Sequence, residues 1–471
     1  MATLFETIRT EGIAELSYLL GDDGKGIAAV IDPTPDVEKY IALAREKNLV
    51  ITHIFETHIH ADLVSGAREL AVRTGTAKIY LSVEKDAEYG FDHEPIRDGD
   101  TFSFGDTQVT VRHTPGHTPE HVSYEMASSD HPDLPWGVLS GDSLFVGSAG
   151  RPDLLGEDET DELTQDLFHT LTDYYKKLPD GTIVYPAHGH GSPCGADIGD
   201  RIRSTVGYEK ETNPFLQYDD FEEFKDFVLS GTPPTPTYYP RMKRINAEGP
   251  EVLGALPKVK ALTPAEFEKV KDGKVQLIDT RDMLAFGDGS IEGSLNIGSS
   301  PMMSVWAGWL LDPDTPILLV PESDGEVETL VKRFLRTGYK EFAGYLAGGI
   351  SAWIQAGKKI QQRGSTSVHE LQSLIEKQPG EIQIVDVRTP SEWEAGHIPE
   401  AVHLFLPEIE EKADQLDRSK PTFTYCASGY RASIAASLLL KLGFENVHNV
   451  PGSWKAWKAS DLEVSENGSA T

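Results

Sequence analysis

The sequence predicts an α/β protein of several domains, and three observations lead there. At 471 residues the chain exceeds what one hydrophobic core organises, so two or three domains of ordinary size are expected. In the first half, short apolar runs that end in polar, histidine-bearing loops alternate with helical spacing. In the second half one strand-and-helix pattern occurs twice.

Leu16 to Leu20 and Ile27 to Ile31 read as two strands of a hairpin, joined by the turn Gly21-Asp22-Asp23-Gly24-Lys25-Gly26. Helical spacing follows over Val37 to Lys47. The apolar run Ile51 to Phe55 then leads into Thr57-His58-Ile59-His60-Ala61-Asp62. The same grammar recurs: Val109 to Val111 precede Thr114-Pro115-Gly116-His117-Thr118, Gly137 to Ser140 precede Gly141-Asp142, and Thr182 to Tyr185 precede Pro186-Ala187-His188. Polar residues at the ends of buried strands can converge on one edge of a sheet, where loops carry function on a rigid scaffold.

From Gly231 the chain becomes Pro-rich, and a second soft region over Ala247 to Pro257 puts a boundary near residue 250. Beyond it, Leu277-Ile278-Asp279-Thr280-Arg281 returns as Ile384-Val385-Asp386-Val387-Arg388. Leu346-Ala347-Gly348-Gly349-Ile350-Ser351-Ala352-Trp353 likewise returns as Val450-Pro451-Gly452-Ser453-Trp454-Lys455-Ala456-Trp457. Each copy is about one domain long, with strands alternating with helices as a parallel sheet requires. The expected domains are 1–250, 258–360 and 362–462.

With 39% hydrophobic and 25% charged residues, the composition is that of soluble globular units. A net charge of -32 disfavours nucleic acid and anionic membrane surfaces as partners. No apolar stretch is long enough to span a bilayer, and Met1-Ala2-Thr3-Leu4-Phe5-Glu6 lacks a leader pattern, so a cytoplasmic location is expected. Two cysteines in unrelated contexts make no disulfide framework.

His58, His60 and Asp62, with His117 and Asp142, supply imidazoles and carboxylates in the number a transition metal needs. Two imidazoles and one carboxylate on one face of an octahedron leave three positions for O2 and substrate. Cys194 follows His188 across a short Gly-rich loop and is a candidate sulfur acceptor or pocket wall. Cys426 opens Cys426-Ala427-Ser428-Gly429-Tyr430-Arg431, between an apolar run and an apolar helix. A loop at the head of a helix offers N–H groups and the positive dipole end to a thiolate, and Arg431 closes that loop.

The histidine and aspartate quintet resembles the metallo-β-lactamase fold family over roughly residues 1 to 245, which implies an αββα sandwich. Most members carry His-x-His-x-Asp-His and two metals. Here Leu63 stands in the sixth position, which makes a mononuclear metal the expectation. Within the family, Thr57 to Asp62, Thr114 to Thr118, Gly141-Asp142-Ser143 and Gly150-Arg151-Pro152-Asp153-Leu154 look most like persulfide dioxygenases. That resemblance implies Fe(II) on His58, His117 and Asp142, with His60, Asp62 and His188 at outer positions that orient ligands and water. It also implies Arg151 near the pocket for a thiol substrate, and sulfite and free thiol as products. His190 departs from the Asp-Tyr pair of glutathione-using relatives, so coenzyme A, bacillithiol and glutathione stay open as carrier.

Residues 364 to 462 resemble rhodaneses through Asp386-Val387-Arg388, Glu392-Trp393, Gly396-His397-Ile398-Pro399-Glu400-Ala401 and the six-residue loop. The fold implied is a parallel α/β domain in each copy. The role implied is sulfur transfer through Cys426, with Ala427, Ser428, Gly429 and Tyr430 lining the substrate. In the preceding copy Pro321-Glu322-Ser323-Asp324-Gly325-Glu326 takes the place of the loop, so a silent spacer or docking domain is expected there. The three-part order resembles persulfide dioxygenase–rhodanese fusions of sulfide detoxification, an oxidoreductase joined to a transferase. The implied partners are a low-molecular-weight persulfide, O2, sulfite and thiosulfate, and homo-oligomer formation is left open. Two rivals stand: a zinc thioester hydrolase of the glyoxalase II kind with an attached sulfurtransferase, and a sulfur carrier without its own oxidation.

Overall fold

The computed structural model describes residues 3–195, 197–230 and 232–465; Gly231, the expected start of the Pro-rich stretch, lies outside them. Two units are present, Met1–Leu256 with Lys332–Gly338, and Pro257–Val331 with Tyr339–Thr471. In the first, β1 (Thr3–Thr10), β2 (Glu15–Asp22), β3 (Ile27–Ile31), β4 (Val50–Phe55), β5 (Lys78–Ser82) and β6 (Glu94–Ile96) lie side by side in chain order. β7 (Thr101–Phe104), β8 (Thr107–His113), β9 (Val122–Ser128), β10 (His131–Gly141), β11 (Ile183–Pro186) and β12 (Ser204–Thr205) form a second sheet in the order β12-β11-β10-β9-β8-β7.

Strand alternation explains the layering. Leu16, Tyr18 and Leu20 of β2 face Val109, Val111, Tyr124 and Leu139 of the other sheet, while Leu19 turns outward onto Tyr40, Ala44 and Leu70 of helices Glu38–Glu46 and Ala67–Thr74. On the far side Val138 and Val184 pack on Leu167, Leu171 and Tyr175. The result is the αββα sandwich. Because β4, β8, β10 and β11 each run into a polar loop, four strand ends deliver the site residues from two sheets.

The second unit holds two parallel five-stranded sheets of identical order. One comprises β13 (Ala261–Leu262), β14 (Gln276–Asp279), β15 (Leu295–Asn296), β16 (Ile317–Val320) and β17 (Phe342–Leu346), arranged β13-β17-β16-β14-β15. The other comprises β18 (Gly364–Ser365), β19 (Gln383–Asp386), β20 (Val402–His403), β21 (Thr422–Tyr425) and β22 (Val447–Asn449), arranged β18-β22-β21-β19-β20. The repeat extends to single hydrogen bonds. Arg281 binds Asp279 and the Gly289 carbonyl, and Arg388 binds Asp386 and the Gly396 carbonyl. The Trp353 and Trp457 indoles donate to the carbonyls of Lys359 and Glu463.

Asp386 is fully buried and takes the Arg388 guanidinium at 2.6 Å. Breaking a buried pair strands a charge at a cost of about 3–5 kcal/mol. Asp386→Asn is therefore expected to advance the urea transition of the C-terminal domain by that amount and to leave the first unit's transition in place.

Candidate metal centre and thiol loop

His58 leaves the end of β4, His117 follows β8, and Asp142 follows β10 at a turn where Gly141 has a φ of 54°. A side chain at Gly141 would collide with His121 and Thr57, and one at Gly150 would collide with the Asp142 carbonyl and His117. The chain thus comes close enough for three donors to meet: Asp142 Oδ2 lies 3.7 Å from His58 Nε2 and 3.6 Å from His117 Nε2. Two donors each about 2.1 Å from one ion sit about 3–3.6 Å apart, so the triad has the spacing of a ligand set.

Hydrogen bonds assign the tautomers. His117 Nδ1–H donates to the Arg151 carbonyl at 3.1 Å. The Thr57 hydroxyl donates to Asp32 and therefore accepts from His58 Nδ1–H, at 2.9 Å. Both Nε2 atoms keep their lone pairs. His58 Nε2 and Asp142 Oδ2 are buried and make no hydrogen bond among the described residues. Burial and the neighbouring imidazoles hold His58 neutral. Burial and the Lys243 ammonium do the same for His117 against the pull of Asp142.

His60, Asp62 and His188 lie beside this triad on other work. His60 Nε2 is 3.3 Å from Asp32 and 3.2 Å from Glu56. His188 Nδ1 is 2.7 Å from Asp142 Oδ1, while its Nε2 is 2.9 Å from Asp62 and 2.8 Å from Glu15. Burial disfavours charge on both rings, yet the carboxylates outweigh it and raise both pKa values well above the ordinary histidine range. Glu15, buried among them, is pushed up to about 7.

The Arg151 guanidinium is 4% exposed and bound at 2.6 Å to Asp153, with further bonds to the Pro193 carbonyl and Thr235. Its carbonyl, which orients His117, touches the metal triad more directly than its charge does. Cys194 is buried, with its sulfur 3.6 Å from the Tyr239 hydroxyl.

Sequence reasoning missed several members of the site. His121 accepts the Asp142 N–H at 3.0 Å and stacks on His58, and its burial-lowered pKa, about 3, keeps it neutral for that task. Glu15, Asp32 and Glu56 come from β2, the loop after β3 and the loop after β4, with no common motif. Lys243, on helix Tyr239–Glu248, makes no ion pair or hydrogen bond among the described residues, and burial lowers its pKa. Its charge is felt at His117. The Glu120 and Glu159 carboxylates act on it without closing an ion pair, and a partly buried cation so placed suits an anionic substrate. Lys243→Met is expected to raise KM about tenfold or more, the worth of one charge-assisted contact, while kcat and metal content hold.

In the second unit Cys426 directly follows β21, and helix Tyr430–Lys441 begins after Gly429, whose φ is 115°. That turn lets the Gly429 N–H donate to Cys426 Sγ at 3.1 Å. Amides of Gly452, Trp454 and Lys455 donate to the carbonyls of Ser428, Cys426 and Ala427 and hold the loop against the next helix. Arg431 lies against the Cys426 sulfur and is also gripped by Glu392 through bonds of 2.6 and 2.7 Å. The silent copy touches this loop: the Tyr430 hydroxyl donates to the Gly298 carbonyl at 2.9 Å, and Met283 packs against Gly429. Its own pseudo-loop, with Glu322 and Glu326, borders a cavity of about 400 Å³ that Tyr430 helps to line.

The metallo-beta-lactamase superfamily model matches residues 11–188, and the rhodanese-like domain model matches residues 263–356 and 367–460. A hydroxyacylglutathione hydrolase of Synechocystis sp. is 30% identical over 227 residues, covering 43% of this chain and 84% of that protein. A crystal structure of a metallo-beta-lactamase from Staphylococcus aureus subsp. aureus COL is 33% identical with a TM-score of 0.67, covering 74% of this chain and 99% of that one. ETHE1 from Myxococcus xanthus aligns at 28% identity and a TM-score of 0.45, over 52% of this chain and 98% of that one. The chain belongs to the metallo-beta-lactamase superfamily and carries two rhodanese-like domains behind its metal-binding fold. Its metal-binding fold and rhodanese-like domains are those of an enzyme. Among the described residues no helix is long and apolar enough to cross a membrane.

Proposed function

We propose that this protein oxidises a low-molecular-weight persulfide with O2 to sulfite at a mononuclear ferrous centre. Its Cys426 then carries sulfur between persulfide, sulfite and thiosulfate. The observation that carries this reading is the division of labour among the histidines. His60 and His188 face carboxylates, whereas His58 and Asp142 turn buried, hydrogen-bond-free donor atoms toward a point that His117 Nε2 also borders. Two neutral imidazoles and one carboxylate fit Fe(II), which when bound would supply the redox chemistry that joins O2 to the terminal sulfur.

The chain's own groups do the rest. The Arg151 carbonyl and Thr57 fix the two rings, and the His121 and His188 contacts fix Asp142. Lys243 draws in the anionic persulfide. The balance is RSS⁻ plus O2 plus water giving RS⁻, sulfite and two protons. In the second unit the Cys426 thiolate attacks the outer sulfur of a persulfide, whose S–S bond breaks to release RS⁻ and leave that sulfur on Cys426 as a persulfide. Sulfite then attacks that sulfur, the S–S bond breaks toward Cys426, and thiosulfate leaves.

The kinship with hydroxyacylglutathione hydrolases favours a zinc thioesterase as the second reading. Protein purified without oxygen, assayed for metal and then in an oxygen electrode with several persulfides, separates the two. Iron near one per chain with O2 uptake is expected. Full activity on a thioester with zinc alone, and no O2 uptake, would overturn the proposal.

A further inference from the structure

We infer that Asn296, on the silent copy, is a positioning residue for Cys426: with the Gly298 carbonyl it fixes the helix whose head carries the thiol loop. The inference rests on sulfur transfer through Cys426 and is independent of the metal centre.

Helix Tyr430–Lys441 is buried without a break from Ala432 to Leu439, so both of its sides need a partner. Its own sheet supplies one, for the Thr424 hydroxyl on β21 donates to the Ala432 carbonyl at 2.8 Å. The silent copy supplies the other. Tyr430, Ser433 and Ser437 are spaced three and four residues apart, which puts them on one face of the helix. The Ser433 hydroxyl donates to Asn296 Oδ1 at 2.6 Å, the Asn296 N–H donates to Ser437 Oγ at 3.1 Å, and the Tyr430 hydroxyl donates to the Gly298 carbonyl at 2.9 Å. The amide has one orientation. Its Nδ2 donates to the carbonyls of Asp279 and Arg281, both at 3.1 Å, and since carbonyls only accept, the atom that meets Ser433 is the oxygen. Asn296 and both serines are buried, so loss of one partner strands the others.

The repeat shows what is particular to this residue. Asn296 pairs with Asp279 across β14 and β15 as His403 pairs with Asp386 across β19 and β20. His403 reaches the Arg388 carbonyl at 2.9 Å, as Asn296 reaches that of Arg281. Asn296 thus keeps the internal bond and adds an acceptor turned to the other copy. Two residues on, Gly298 stands where the active copy has Phe405, and a Cβ there would come within 3.4 Å of Tyr430 Cε2. A helix held at its first turn aims its free N–H groups and positive end at what precedes it. Here that is Cys426, whose Sγ accepts the Gly429 N–H at 3.1 Å. Arg431, bound to Glu392, is the charged group at the sulfur, and the bonds of Asn296 reach neither.

Alkylation of Cys426 by iodoacetamide across pH, read by mass spectrometry on the full-length chain, reports the thiolate without any sulfur transfer. Asn296→Ala is expected to move the midpoint of that profile up by about half a unit or more and to lower kcat for sulfur transfer from thiosulfate to cyanide about tenfold, with KM for thiosulfate held within about twofold. Ser433→Ala removes one hydroxyl and introduces no clash. It should shift both readouts in the same direction, with kcat down about threefold, and the double variant should be no slower than Asn296→Ala, because the two residues share one contact. An unchanged profile and rate in both single variants overturns the inference, as do losses that multiply in the double variant. Should Asn296→Ala fail to fold, Ser433→Ala decides alone. A wild-type chain that alkylates at Cys426 but moves no sulfur sinks the sulfurtransferase reading and leaves the alkylation test of Asn296 standing.

Discussion

Replacing Cys426 with serine is expected to leave O2 consumption unchanged and to stop the product at sulfite, with thiosulfate formation above the uncatalysed background falling at least about 10³-fold. The size of the effect follows from the step it removes. Sulfur must reside on the protein as a persulfide between donor and acceptor, and a serine hydroxyl cannot take the outer sulfur of R-S-S⁻ at neutral pH. Serine keeps the hydrogen-bonding shape of the loop, since the Gly429 N–H that meets Cys426 Sγ at 3.1 Å can equally meet an Oγ. The variant therefore tests chemistry rather than folding. Ion chromatography of sulfite and thiosulfate on one time course is the measurement. Undiminished thiosulfate would remove the C-terminal domain from the scheme, and lost O2 uptake would show that the two reactions are not separable.

The parts of this site that local sequence discloses are those that follow strands. His58, His117, Asp142 and His188 each sit one to four residues beyond the end of a strand, and the structure brings all four together. The repeat is equally legible, because an Asp-x-Arg pair after a strand closes the same buried bonds twice. Tertiary pairing is what a one-dimensional reading lacks. Glu15 reaches His188 only because β2 lies across a bridge from residue 188, and nothing in Gly12-Ile13-Ala14-Glu15 announces it. Arg151 illustrates competition. Its position after the β10 loop fits substrate binding, but Asp153, two residues on, holds the guanidinium. Glu392 plays two parts that compete in sequence and coincide in space. It completes the capping box with Thr389 and also grips Arg431, which holds its carboxyl at about 2 despite burial.

Asp142→Asn is expected to cut iron occupancy to less than about a tenth and O2 uptake by at least about a hundredfold, while sulfur transfer from thiosulfate through Cys426 continues unchanged. Asp142 is the one residue that serves both faces of the cluster. Oδ2 looks toward His58 and His117, and Oδ1 receives His188 Nδ1 at 2.7 Å. An amide cannot do both. If its oxygen stays with His188, an NH2 group, which has no lone pair to give, faces the two imidazoles. If it turns over, the NH2 group confronts His188 and the ion meets a neutral oxygen in place of a carboxylate. Either way the charge that offsets the metal is lost in a fully buried place, where it counts most. Side-chain volume barely changes, and Gly141 and Gly150 still admit the close turn, so the fold is expected to persist. Iron measured per chain, together with the retained thiosulfate sulfurtransferase rate as the folding control, decides the matter. Near-normal iron with full O2 uptake would show that Asp142 is no ligand.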